Sequence, residues 1–263
     1  MSGANSETVL ITGASSGIGW ELAKCFAADG SRLVLTARNT AALQSLADEL
    51  RRTHNVEATV LTADLSLPES PERIFSELQG RGITVDVLVN NAGFGAWGKF
   101  SELPLPRQLE MLQVNVNALV ELTGLFLPGM VQRRRGGILN VASVAGFVPG
   151  PGMAVYYATK ACVLSFTEAL AQELVGTNVT ATALCPGPTA TNFGQVAKAD
   201  PARMVRQVRM SAEAVALYGL RSFRKGKVVA VPGLQNRLLI LLARFGPRST
   251  VRKMAGKFNG IRR

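Results

Sequence analysis

Short apolar runs of strand length alternate along this chain with longer helix-like stretches. The runs fall at 8–12, 32–36, 57–63, 85–90, 137–142, 180–185 and 228–231, and the helix-like stretches at 20–28, 40–52, 70–79, 106–127 and 155–175. Val87-Leu88-Val89 and Ile138-Leu139-Asn140-Val141 are continuous apolar runs, not alternating ones. Strands of that kind are buried on both faces, as in a parallel sheet sandwiched by helices. The repeated βα rhythm predicts an α/β fold with a doubly wound sheet. Gly136-Gly137 and Pro149-Gly150-Pro151-Gly152 read as loops inside one domain, and no internal repeat or low-complexity linker breaks the pattern.

With 263 residues, 47% hydrophobic and 18% charged, the chain can bury a large single core. The polar start at 1–8 runs straight into Val9-Leu10-Ile11 and leaves no room for a signal peptide, so a cytoplasmic protein is expected. Cys25, Cys162 and Cys185 are odd in number and widely spaced, which predicts reduced core residues and no disulfide or metal site. His54 is the single histidine, so histidine triads and His-Glu-x-x-His metal sites are excluded. Gly13-Ala14-Ser15-Ser16-Gly17 does fit the G-x-S-x-G of a nucleophile elbow. Its only possible base, His54, lies in the polar stretch 51–55 at a helix-to-strand junction, which argues against a hydrolase.

The first strand runs into Thr12-Gly13-Ala14-Ser15-Ser16-Gly17-Ile18-Gly19, and the next residues begin a helix. Glycines at such a turn let the backbone approach a pyrophosphate, and the helix N-terminus offers free N–H groups and a positive dipole end. Gly13, Ser15, Ser16, Gly17, Ile18 and Gly19 are therefore candidate dinucleotide contacts, although the spacing is G-x-x-x-G-x-G and not the usual G-x-G-x-x-G. Arg38 ends the second strand where an acid would grip a ribose 2′-hydroxyl; an arginine there suits a 2′-phosphate, so NADP(H) is favoured over NAD(H). Asp64, followed by Leu65, ends the third strand and reads either as an acceptor for an adenine amino group or as a helix N-cap.

Tyr156 and Lys160 are one helical turn apart, which puts a phenol and an ammonium on one face. A phenol with a reference pKa of about 10 needs roughly 4 kcal/mol of preference for phenolate to fall by ~3 units. One cation at about 4 Å in an effective dielectric near 20 can supply that much. Tyr157 is three residues from Lys160 and could face it as well.

In chain order, 12–19, Asp64, Asn90-Asn91-Ala92-Gly93, Asn115, Ser143, Tyr156 with Lys160, and Pro186-Gly187 together resemble the short-chain dehydrogenase/reductase family, over residues 8 to about 232. The resemblance implies a Rossmann-type dinucleotide-binding catalytic domain over 1–232, with Tyr156 as acid/base. Lys160 would lower its pKa and bind the nicotinamide ribose, Ser143 would polarise a substrate carbonyl, and Asn115 would hold a water in a proton relay. Asn91, Ala92 and Gly93 would back the adenine side, while Thr189 and Thr191, after the cofactor-binding Pro186 and Gly187, would face the nicotinamide carboxamide and the pyrophosphate. Family spacing selects Tyr156 over Tyr157. Ser16 stands where some NADP-dependent members carry a base, leaving Arg38 alone to argue for the phosphate. A non-catalytic dinucleotide sensor on the same fold is the rival reading; it would be expected to lose Ser143, Tyr156 or Lys160, and all three are present.

Phe94, Trp97, Phe147, Val148, Met153 and Phe193 follow the site motifs and predict an apolar mouth for a ketone, an aldehyde or an acyl or steroid-like carbonyl or alcohol. Charge is uneven: residues 1–196 carry 13 Lys/Arg and 16 Asp/Glu, whereas 197–263 carry 16 and 2, within a net charge of +11. The stretch 233–263 reads as a basic, apolar helical extension holding eight Lys/Arg and no acid. Its leucines could cover the substrate or a homodimer or homotetramer interface; alternatively the extension could touch a membrane surface or an acidic carrier. Aromatics do not interleave with its bases, so no nucleic-acid role is expected.

Overall fold

The computed structural model describes residues 7–197 and 210–260. The polar start at 1–6 and the terminal Arg262 and Arg263 lie outside the described residues. Seven strands are labelled here: β1 Thr8–Thr12, β2 Arg32–Ala37, β3 Ala58–Thr62, β4 Val87–Asn90, β5 Gly136–Val141, β6 Val179–Leu184 and β7 Val229–Ala230. They form one parallel sheet in the order β3-β2-β1-β4-β5-β6-β7.

Both faces of this sheet are covered, as the continuous apolar strands require. Val9 and Ile11 of β1 point into one core while Leu10 points into the other, and β4 repeats this with Val87 and Val89 against Leu88. On the first face lie α1 (Gly17–Ala28), α2 (Thr40–His54) and a helix at Ala212–Arg224. On the second lie α3 (Ser70–Gly80) and a long helix made of α4 (Leu105–Leu112), a π-helical turn (Gln113–Asn117) and α5 (Ala118–Arg133), followed by α6 (Ala154–Glu173). The stretch Leu105–Arg133 is 29 residues long and holds an 18-residue window with a mean hydropathy of 1.4, enough to cross a membrane by length and composition, but Leu122, Phe126 and Met130 bury its inner side in the core.

The helix Ala212–Arg224, numbered α7, was not expected from the sequence. Gly219 interrupts its apolar pattern; a Cβ there would come 2.7 Å from Leu184 Cδ2, so the glycine is what lets the helix lie close on β6. Two more helices close the described chain, α8 (Leu234–Phe245) and α9 (Arg248–Phe258). A pair of two-residue strands, Thr189–Ala190 and Met210–Ser211, lies between β6 and α7.

From β1 the sheet order runs one way to β2 and β3, then resumes on the other side at β4. This reversal opens a crevice at the carboxyl ends of β1 and β4, the place where open α/β sheets take ligands. A cavity of about 370 Å³ lined by Arg32, Glu57, Asp86, Arg133 and Arg135 opens at the opposite, amino-terminal ends of the strands and takes no part in that crevice.

Candidate active site

The glycine turn is held from below by the loop after β4. Thr12 Oγ1 accepts hydrogen bonds from the backbone N–H groups of Asn91 and Ala92 at 3.0 and 2.9 Å. Asn91 Nδ2 donates to the carbonyls of Thr12 and Gly13 at 2.8 and 3.1 Å. So close an approach leaves no room for side chains: a Cβ on Gly19 would stand 2.4 Å from Asn91 Nδ2 and 2.5 Å from the Gly13 oxygen. Gly13 and Gly17 have φ of 64° and 60°, the left-handed region that glycine enters at little cost. At the N-terminus of α1, exposed Ser16 makes no side-chain cap, and the first turn holds no acid, which leaves N–H groups and dipole free for an anion. Thr191 leans over the same turn, 3.1 Å from where a Gly17 Cβ would be. These features fit a dinucleotide pyrophosphate.

Arg38 is exposed beyond β2, and its charge reaches Asp64. Burial favours the protonated form of Asp64, but hydrogen bonds from the Ser66 N–H and hydroxyl, at 3.0 and 2.8 Å, together with Arg38, hold the carboxyl below its usual value. Asp64 is not a helix N-cap, because α3 begins at Ser70 behind Glu69. It closes its own turn over Leu65, which is buried.

Around the carbonyl end of the crevice, three elements converge. Ser143 caps a 3₁₀ turn, Val144–Phe147, its Oγ accepting from the Ala145 N–H at 3.1 Å and donating to the Pro186 carbonyl at 3.4 Å. Asn115 sits in the π-helical turn, 1% exposed. Its Oδ1 accepts from the Phe94 N–H at 3.0 Å, and its Nδ2 donates to the Phe94 carbonyl at 2.9 Å and to Thr159 Oγ1 at 3.1 Å. Lys160 donates from Nζ to the Val141 carbonyl at 2.7 Å and lies 5.9 Å from the centre of the Tyr156 ring. Gly93 fits between them, since a Cβ there would be 3.1 Å from Asn115 Oδ1 and 3.5 Å from Lys160 Nζ.

The electrostatics differ from the sequence expectation. Burial pushes the Tyr156 phenol up to about 12, opposed by a hydrogen bond with the Ser143 hydroxyl. Burial also brings Lys160 down to about 8. Tyr157 points elsewhere: its hydroxyl donates to Asn259 Oδ1 at 3.3 Å, and its ring fills the space beside Gly150.

Among the proposed mouth residues, Phe193 stacks 5.1 Å from Tyr156, and Met153 and Phe193 both crowd Gly95. Phe94 instead belongs to a small core cluster with Ala96 and Met111 and lies under Arg107 at 3.8 Å, and Phe147 packs against a core group with Val163 and Leu164. Of the cysteines, Cys185 is buried, Cys25 half-buried and Cys162 exposed on α6, so only one of the three is a full core residue.

Sequence reasoning missed Asn236 and Asn259. Asn236 of α8 fills the space above Gly187, where a Cβ would be 2.5 Å from its Oδ1. Asn259, just past α9 and 1% exposed, accepts on its carbonyl from Trp97 Nε1 at 3.0 Å and donates from Nδ2 to the Pro151 carbonyl at 3.0 Å. Thus the extension closes one side of the mouth.

Such a fold and crevice define a nucleotide-binding oxidoreductase frame. The family model described as short chain dehydrogenase matches residues 7–202, and the chain belongs to that family. It is 37% identical over 175 residues to a very-long-chain 3-oxoacyl-CoA reductase of Laccaria bicolor, covering 65% of this chain and 51% of that one. For that reductase and two further curated relatives, the match spans only 51 to 61% of their own length. Among solved structures, a short-chain dehydrogenase from Sphingobium yanoikuyae in complex with NADPH superposes with a TM-score of 0.82 at 32% identity, over 98% of this chain and 96% of that one. A short-chain dehydrogenase/reductase from Burkholderia phymatum in complex with NAD gives a TM-score of 0.82 at 28% identity, over 90% and 92%.

Proposed function

We propose that this protein is an NADP(H)-dependent oxidoreductase that interconverts a carbonyl and a secondary alcohol on an apolar substrate. The observation that carries this reading is the Tyr156 hydroxyl beside the Ser143 hydroxyl at the mouth of the crevice, with Lys160 and Asn115 on either side of Gly93 behind it. A dinucleotide with its pyrophosphate along Gly13, Gly17 and Gly19 would bring a nicotinamide that supplies or takes the hydride. With its pKa near 12, Tyr156 keeps its proton at neutral pH and is set to donate it to an oxygen gaining negative charge. Ser143 stabilises the same oxygen by turning its hydroxyl from the Pro186 carbonyl towards it. Asn115, locked by Phe94 and Thr159, fixes the floor beneath Lys160.

The Phe193 and Met153 wall favours a ketone, an aldehyde or an acyl-chain carbonyl over a sugar. The Laccaria bicolor relative supports acyl thioesters as the first to try. Arg38 and the NADPH-bound relative support NADP(H). A homodimer or homotetramer is supported by the exposed stripe Leu105, Leu109 and Leu112, and a reducing, cytoplasmic setting by the free cysteines.

A panel of apolar carbonyls followed through NADPH absorbance tests this reading. Tyr156→Phe should lose at least about 100-fold in turnover, the usual range for a general acid being 10²–10⁴. Tyr157→Phe should retain it. Equal losses in the two variants would reject Tyr156 as the proton donor.

A further inference from the structure

We infer that the outer face of the α8–α9 hairpin is a docking surface for an anionic lipid membrane. None of the residues of α8 is buried, yet Leu238, Leu239, Leu241, Leu242 and Phe245 are all apolar, and Phe245 is 79% exposed. Met254 and Phe258 extend the apolar surface onto α9. Arg237, Arg244, Arg248, Arg252, Lys253 and Lys257 are exposed on the same two helices, and residues 234–260 contain no acid. The hairpin is attached through its inner side, where Asn236 meets Gly187, Gly256 meets Pro151 and Asn259 holds Trp97 and Tyr157. Nothing of the described chain covers the leucines.

Charge decides between occupants. A second copy on this face would bring one all-basic hairpin against another, with no acid to pair. The exposed stripe of α4 is better suited to a copy, because its Arg107 is matched by Glu110 at 2.8 Å. A membrane satisfies both features at once: acyl chains receive the leucines, and anionic headgroups meet the flanking bases. Twelve residues rise about 18 Å, well short of the ~30 Å hydrocarbon core, so α8 would lie in the plane of the interface and not cross it. Docked in this way, the extension holds the substrate mouth next to the lipid surface.

Sedimentation of the full chain with vesicles tests this without reference to any substrate, so it stands or falls apart from the catalytic reading. The vesicles are phosphatidylcholine alone or with roughly a third phosphatidylserine. Wild type is expected to pellet with the anionic vesicles and not with the neutral ones, and less so as salt is raised. Leu241→Glu with Phe245→Glu should cut the bound fraction by at least about tenfold with an unchanged thermal melt. Arg248→Gln, Arg252→Gln and Lys253→Gln together alter only exposed side chains and should abolish the preference for anionic lipid. Wild type remaining in the supernatant with both vesicles would overturn the proposal. So would a wild-type dimer that the Glu pair turns into a monomer, since a second copy would then own the face. Pelleting unaffected by either set of substitutions would overturn it too.

Discussion

Lys160 carries its amine into a pocket where 5% of the residue meets solvent, and this shapes both stability and chemistry. Its pKa falls from 10.5 to about 8 on folding, so between those values the unfolded chain holds a proton that the folded chain has given up. Stability therefore rises with pH through that window, and the full cost of burying the charge is present below about 8. Tyr156 and Cys185, both raised to about 12 by burial, act in the opposite sense at higher pH; because Cys185 also feels the Lys160 charge, the comparison with a Lys160→Met variant is made no higher than about pH 9, the ordinary value of a thiol. In urea unfolding, wild type should gain about 1 kcal/mol over Lys160→Met between about pH 7 and about pH 9. A difference that stays flat would mean that the amine is solvated. The Tyr156–Lys160 spacing was legible in the sequence, but the burial that raises the one group and lowers the other was not, because four residues of spacing say nothing about how much of the surrounding shell is dry.

The sheet and five of the helices could be read from the chain because each has its own local signal. Continuous apolar runs marked β4 and β5, whose alternate side chains feed two separate cores. Helix α7 was missed although its Ser211 cap and its alanines favour a helix; only Gly219, which gives up helical propensity for a close approach to Leu184, interrupts its pattern. The loop after β4 shows a different limit at the site. Asn91 holds the Thr12 carbonyl from 79 residues away in sequence, a contact that no local pattern reveals. At the end of β2, by contrast, position alone is informative. Arg38→Asp should lower the ratio of NADPH to NADH catalytic efficiency by about ten- to a hundredfold, the worth of a charge-assisted bond to a 2′-phosphate. An unchanged ratio would remove Arg38 from that role.

Across the whole molecule, the substrate side is finished by chain that lies far from it in sequence. Asn259 meets Tyr157 across 102 positions and Trp97 across 162. If the proposed carbonyl reaction is the right one, replacing it with alanine should raise KM for the carbonyl substrate several-fold, leave cofactor affinity in place, and cost about 1–2 kcal/mol of stability. Steady-state kinetics with each ligand varied in turn would show whether the losses separate in this way. The π-helical turn at Gln113–Asn117 acts over a similar range. It lets Met111 before it, Asn115 within it, and Leu119 and Leu122 after it face inward on one helix. One residue deleted or inserted there would rotate α5 by about 100° against the sheet and carry Phe126 and Met130 out of the core. Changes of chain length can be taken up at the open turn around Gly82, where nothing lies within 4 Å of an added Cβ, but the catalytic helix has to keep its count.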